Sequence, residues 1–310
     1  MKKYNKIHYK DIFVIIFILQ LIIIFNIQLH HETVEKNQKE ERKIEYMDII
    51  SKKQNEILNL KEQSIKVNKT GSYNEPYIPN GFHYVEGNFN DGYVIEDKIG
   101  NQFVWIPCRN YINDDILELK RYNFDISENL SIIESFEDKE NLKEFIESVG
   151  KYEGFYIARY EAGNENNIVV SKKGAEIYSN VNYEEAVELS KGMYQNDEVS
   201  SNLINGLAWD TMLKWIDRTT NSKFSSKGSY TANYSNTLQK AGYDSINRIY
   251  DLSGNAIEWT TEKAYDYCIF RGEYSFKDGR YAKIAPGCRD IISKDNKYKN
   301  LGFRVIMYAK

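Results

Sequence analysis

The chain has 310 residues, with 45 acidic against 41 basic side chains and a net charge of −4, which gives it no electrostatic footprint for nucleic acid. Its length suits one sizeable domain with attachments. Of the four histidines only His83 lies in the later chain, which excludes from it any centre that needs two or three, most zinc hydrolases included. Cys108, Cys268 and Cys288 make no disulfide framework; at most one bridge can form, with Cys268–Cys288 the candidate if the domain lies outside the cell.

Residues 1–11 are short and basic. Residues 12–29 are almost wholly apolar, near the lower limit for a membrane-spanning helix, and no small-x-small cleavage pattern follows them. We read them as an uncleaved signal anchor, with a cleaved signal peptide as the alternative. The lysines before them place the N-terminus in the cytoplasm and the rest of the chain on the extracytoplasmic side of the cell membrane. Residues 30–75 form a Lys-, Glu- and Gln-rich helical stalk and linker; Met47, Ile50 and Ile57 trace a partial heptad that could join copies of the chain.

From residue 76 to 310 the composition is globular. Phe82–Val85 reads as a strand, and 92–95 with 102–106 reads as a hairpin closed by Asp97-Lys98-Ile99-Gly100-Asn101. A helix is expected around Glu140–Val149, then a strand over Phe155–Glu161. Asn182–Met193 carries a capping signal, with Asn182 at the N-cap and Glu185 at N3. Leu203–Thr219 is a second amphipathic helix in which Trp209, Leu213 and Ile216 recur at helical spacing. Asn221–Gln239 is a Ser-, Gly- and Asn-rich surface loop. Apolar runs at Cys268–Phe270 and Leu301–Met307 close the chain.

One stretch organises the rest: Ile249-Tyr250-Asp251-Leu252-Ser253-Gly254-Asn255-Ala256-Ile257-Glu258-Trp259. Gly254 and Asn255 tolerate the left-handed region, so a tight turn is expected there. The turn suits either an ordinary hairpin with two solvated acids or a cage for a hard cation such as Ca²⁺, built from Asp251, Glu258 and exposed carbonyls.

Gly254-Asn255-Ala256-Ile257-Glu258-Trp259 resembles the G-N-x-x-E-W signature of the formylglycine-generating, sulfatase-modifying-factor family. Phe103–Pro107, Phe155–Asn164, Val181–Leu189, Arg271-Gly272 and Leu301–Val305 resemble further family segments in the right order. The resemblance implies an α+β fold of C-type-lectin-like type with much irregular chain. It also implies a structural Ca²⁺ held by the side chains of Asp251 and Glu258 and the carbonyls of Gly254 and Ala256. The family's oxidases use two cysteines for copper shortly after the Arg-Gly motif. Residues 275–282 contain no cysteine here, which leaves copper without its place.

The expected function is therefore a membrane-anchored, extracytoplasmic module that binds a protein or glycan at the cell surface, on a scaffold without the oxidase site. No catalytic residue is assigned. The candidate surface comprises Trp209, Tyr230, Tyr234, Lys277 and Tyr281. The alternative is a divergent copper- or metal-dependent oxidase using Cys268 or Cys288. The resemblance implies that the closing Gly-Phe-Arg arginine, Arg304, pairs with a buried acid, and Arg271 and Arg304 are both read as structural rather than as anion binders.

Overall fold

A computed structural model describes residues 76–108, 117–124, 135–137, 139–228, 238–272, 276–277, 280–281 and 285–310. The segments read as tail, anchor and stalk lie outside the described residues. Among the described residues no helix is long and apolar enough to cross a membrane. The fold is α+β, with many short strands and few helices.

Strands β1 (Phe82–Glu86), β2 (Tyr93–Asp97), β3 (Gln102–Pro107) and β4 (Gly154–Ala158) form an antiparallel meander. The helix α1 (Lys139–Tyr152) is inserted between β3 and β4. The β2–β3 turn is fixed by Asp97, whose carboxylate accepts the N–H groups of Ile99 at 2.9 Å and Asn101 at 2.8 Å. This is the side-chain-to-backbone bonding that favours Asp at turns. The β4 strand stops at Ala158, earlier than the alternating run through Glu161 suggests, because Arg159 is drawn to Glu86 and Gln102 and Glu161 turns inward.

A small hairpin follows, β5 (Gly163–Glu165) and β6 (Ile168–Val170), with Asn166 and Asn167 at positive φ in its turn. Helix α2 (Tyr183–Met193) starts at the expected box: Asn182 Oδ1 accepts the Glu185 N–H, and Glu185 Oε2 accepts the Asn182 N–H, both at 2.9 Å. The next element is strand β7 (Val199–Leu203), so Leu203 ends a strand, and helix α3 (Gly206–Thr219) begins after Asn205 caps it. A one-turn helix, α4 (Phe224–Lys227), lies within the stretch read as loop.

Strands β8 (Ser245–Ile246) and β9 (Ile249–Tyr250) pair with each other. Then come β10 (Ile257–Ala264), β11 (Tyr267–Arg271), the pair β12 (Phe276–Lys277) and β13 (Arg280–Tyr281), and β14 (Asp290–Ile292), β15 (Leu301–Phe303) and β16 (Val305–Ala309). The first sheet runs β1-β2-β3-β4-β16-β7 and is antiparallel throughout. The second runs β14-β11-β10-β15, with β10 and β15 parallel. Phe103, Trp105 and Tyr156 of the first sheet share one apolar cluster with Trp259, Phe270 and Phe303 of the second and with Ala186 of α2.

The organising turn differs from the hairpin reading. Gly254 and Asn255 do take positive φ, at 86° and 61°, but β9 and β10 do not pair across them. Asp251, at φ 59°, turns the chain first, and its N–H donates to the Asp244 carbonyl at 2.7 Å. The chain then crosses from β9 to the second sheet.

Candidate functional site

Three regions gather polar chemistry. The first is a charge cluster around Asp210 of α3 and Glu262 of β10, both fully buried. Arg271 donates from Nε to Glu262 at 2.7 Å and from Nη2 to Asp210 at 2.9 Å. Arg289 reaches Asp210 at 2.6 Å and Glu262 at 3.1 Å. Arg121 adds bonds to Asp210 at 2.8 Å and to Glu262, and Ser135 donates to Glu262 at 2.7 Å. Glu137 accepts the Gly206 N–H and, at 2.6 Å, the Thr261 hydroxyl. Gly206 is required here, since a Cβ would meet Glu262 Cδ and Cγ at 2.5 Å. Three guanidinium groups thus face three carboxylates.

Burial alone would raise both carboxyls, but the surrounding arginines hold Asp210 low and Glu262 well below the usual range. Glu137 is instead pushed up to about 7, by burial and then by Glu262. Buried pairs of this kind are costly to break, because the partner left behind is an uncompensated charge. Every acid of the cluster is occupied by a donor of the protein itself.

The second region is the organising turn. Arg304 grips Glu258 through Nη2 at 2.6 Å and Nε at 3.1 Å and also donates to the carbonyls of Ala158 and Tyr250. The arginine pairs with a buried acid, as the family resemblance implies. Asp251 accepts the N–H groups of Gly242 at 2.6 Å, Asp244 at 2.9 Å and Tyr243 at 3.1 Å. Glu161, fully buried, accepts the Ala256 N–H at 2.8 Å and the Asn255 amide. Burial, then Asp251 and Glu258, hold its carboxyl well above the usual range.

The resemblance implies a calcium ligand set of Asp251 and Glu258 with the carbonyls of Gly254 and Ala256; in the fold both carboxylates are buried and accept N–H bonds. Each side chain is turned to its own N–H donors. Among the described residues no group of three or more His, Cys, Asp and Glu is arranged to hold a metal ion. Cys108, Cys268 and Cys288 are buried and carry no disulfide. The Cys268 thiol is pushed up to about 11, chiefly by burial, which makes it a poor thiolate ligand.

Trp209 is a core residue rather than part of a recognition surface: it is fully buried, and its indole N–H donates to the Pro286 carbonyl at 2.8 Å. Lys277 and Tyr281 fall on β12 and β13, while Tyr230 and Tyr234 lie outside the described residues.

The third region is an open groove of about 680 Å³. One wall is a face of α2 where Glu185, Glu188, Leu189, Gly192 and Met193 follow each other at helical spacing, with Leu189 and Met193 half-buried against the core. The other is made by the β2–β3 turn and the β5–β6 hairpin, with Ile99, Asn167 and Ile168, while Tyr178 to Val181 and Lys297 complete the lining. Ile99 and Ile168 are 64% and 62% exposed, unusual for isoleucine. Gly192 faces open space, with nothing within 4 Å of where its Cβ would sit. None of the lining residues belongs to the charge cluster or the organising turn.

Sequence reasoning missed this groove. Its signals were present: the Asn166-Asn167 dipeptide between two short runs marks a hairpin, and Gly192 stands inside a well-capped helix. No family model matches the chain, and no curated protein is significantly similar to it.

Proposed function

We propose that residues 76–310 act as a binding module for a protein or glycan, held outside the cell by the segment 12–29, on a scaffold of the formylglycine-generating-enzyme type. The observation that carries this reading is the groove along α2. It falls within the size range of ligand sites, and it is where apolar side chains and a helical glycine stand exposed together. The rest of the described acid and thiol chemistry supports binding over catalysis. The buried acids are engaged by the protein's own donors, and the three thiols are buried.

The test is an array of peptides and glycans probed with the full-length protein and with Gly192→Trp. Gly192→Trp adds a large side chain to the groove lining at a position where a Cβ meets nothing within 4 Å. The expected result is at least one ligand retained by the wild type and lost by Gly192→Trp, with unchanged melting. An array in which every bound ligand survives Gly192→Trp overturns the reading.

A further inference from the structure

Resting on that reading, we infer that the groove takes an extended peptide segment carrying aliphatic side chains beside a lysine or arginine. The charge balance sets the sign. Asp97, Glu185 and Glu188 line the groove against one ammonium, that of Lys297. Two of the carboxylates are committed. Asp97 accepts the N–H groups of Ile99 and Asn101, the Asn101 amide and the Tyr194 hydroxyl. Glu185 closes the capping box and accepts from Lys297 at 2.5 Å. Glu188 is exposed and has no ion-pair partner among the described residues.

The neighbours of Glu188 fix the rest of the ligand. Leu189 is adjacent to it, and Gly192 lies one turn on along the same helix face. A missing side chain at Gly192 lets another backbone approach the helix closely. Across the groove Ile99 and Ile168 offer aliphatic surface, and Asn167 and Asn180 offer amides that can both donate to and accept from a main chain. Aliphatic walls with amide rims match a peptide. Sugar rings are more commonly met by stacked aromatic faces, and the lining has only Tyr178 and Tyr194, the latter turned to Asp97.

The probe is a fluorescein-labelled short peptide of alternating leucine and lysine, with leucine–glutamate and leucine–glutamine counterparts. Anisotropy is read with the full-length protein at about 0.15 M salt, where long-range attraction is largely screened. Glu188→Lys and Glu184→Lys change net charge equally, but Glu184 pairs with Lys294 and does not line the groove. The expected result is that the leucine–lysine peptide binds best, that Glu188→Lys weakens it about five-fold or more, that Glu184→Lys changes it less than about two-fold, and that Gly192→Trp abolishes it. Equal weakening by the two lysine variants overturns the inference. So does binding of all three peptides alike; if that binding is lost in Gly192→Trp, the groove remains a binding site and only its preference for a cation is wrong. If no peptide binds, the inference falls, while a glycan lost in Gly192→Trp would leave the broader reading standing.

Discussion

The charge cluster around Glu262 and the groove along α2 both contain acids, and they use them in opposite ways. In the cluster each carboxylate meets guanidinium, hydroxyl or amide donors, and the acids are buried. In the groove Glu188 is exposed and has no ion-pair partner among the described residues. Each region also has a glycine in a helix. Gly206 is pressed against Glu262, whereas Gly192 borders empty space. An acid enclosed by its own chain's donors holds the fold together; an acid and a glycine left open on a helix face are available to something else.

The comparison breaks most plainly if the cluster is not structural. Arg271→Ala leaves Asp210 and Glu262 short of a fully buried partner, and it should cost about 3–5 kcal/mol in denaturant unfolding. A loss below about 1 kcal/mol would place the cluster among weak surface pairs. Next comes the glycine pair. Gly206→Ala forces a methyl onto Glu262 and should cost about 1–3 kcal/mol. Gly192→Ala should instead stabilise by up to about 0.5–1 kcal/mol, since it removes backbone freedom from the unfolded chain without a clash. If the two substitutions shift unfolding in the same direction, the contrast between the regions is wrong.

A subtler test uses pH. The Glu137 carboxyl rises from 4.5 in the unfolded chain to about 7 in the fold, so the folded state holds its proton more tightly. Its stabilising contribution is full below 4.5 and is lost as pH rises to about 7. Glu137→Gln should flatten that decline in melting temperature. Asp210 and Glu262, both lowered, run the other way and lose their contribution as pH falls through and below the ordinary carboxylate range. Unaltered pH dependence in Glu137→Gln would remove Glu137 from the coupled cluster.

Much of the scaffold was legible because its signals are local. The Asp97 turn, the Asn182–Glu185 capping box and the left-handed Gly254-Asn255 pair each act within a few residues. Strand β7 escaped because Val199-Ser200-Ser201-Asn202-Leu203 reads as polar. Its burial is made possible by bonds such as Ser201 Oγ to the Ser190 carbonyl at 2.7 Å, a partner contributed by α2. The charge cluster escaped for a similar reason. Arg121 and Glu137 come from a stretch that looks merely acidic and polar, and they acquire meaning only beside Asp210 and Glu262. The reading of Asp251 and Glu258 as two solvated acids fails because the fold buries both and gives them N–H donors from residues 242–244 and from Arg304. The groove joins five separate segments, so no window of sequence contains it.

Amide hydrogen exchange of the full-length protein, with and without a ligand taken from the array, locates the binding face directly. The account predicts added protection over 185–193 and 164–169 and none over 260–271. Protection confined to 260–271, with α2 and the β5–β6 hairpin unchanged, would contradict it.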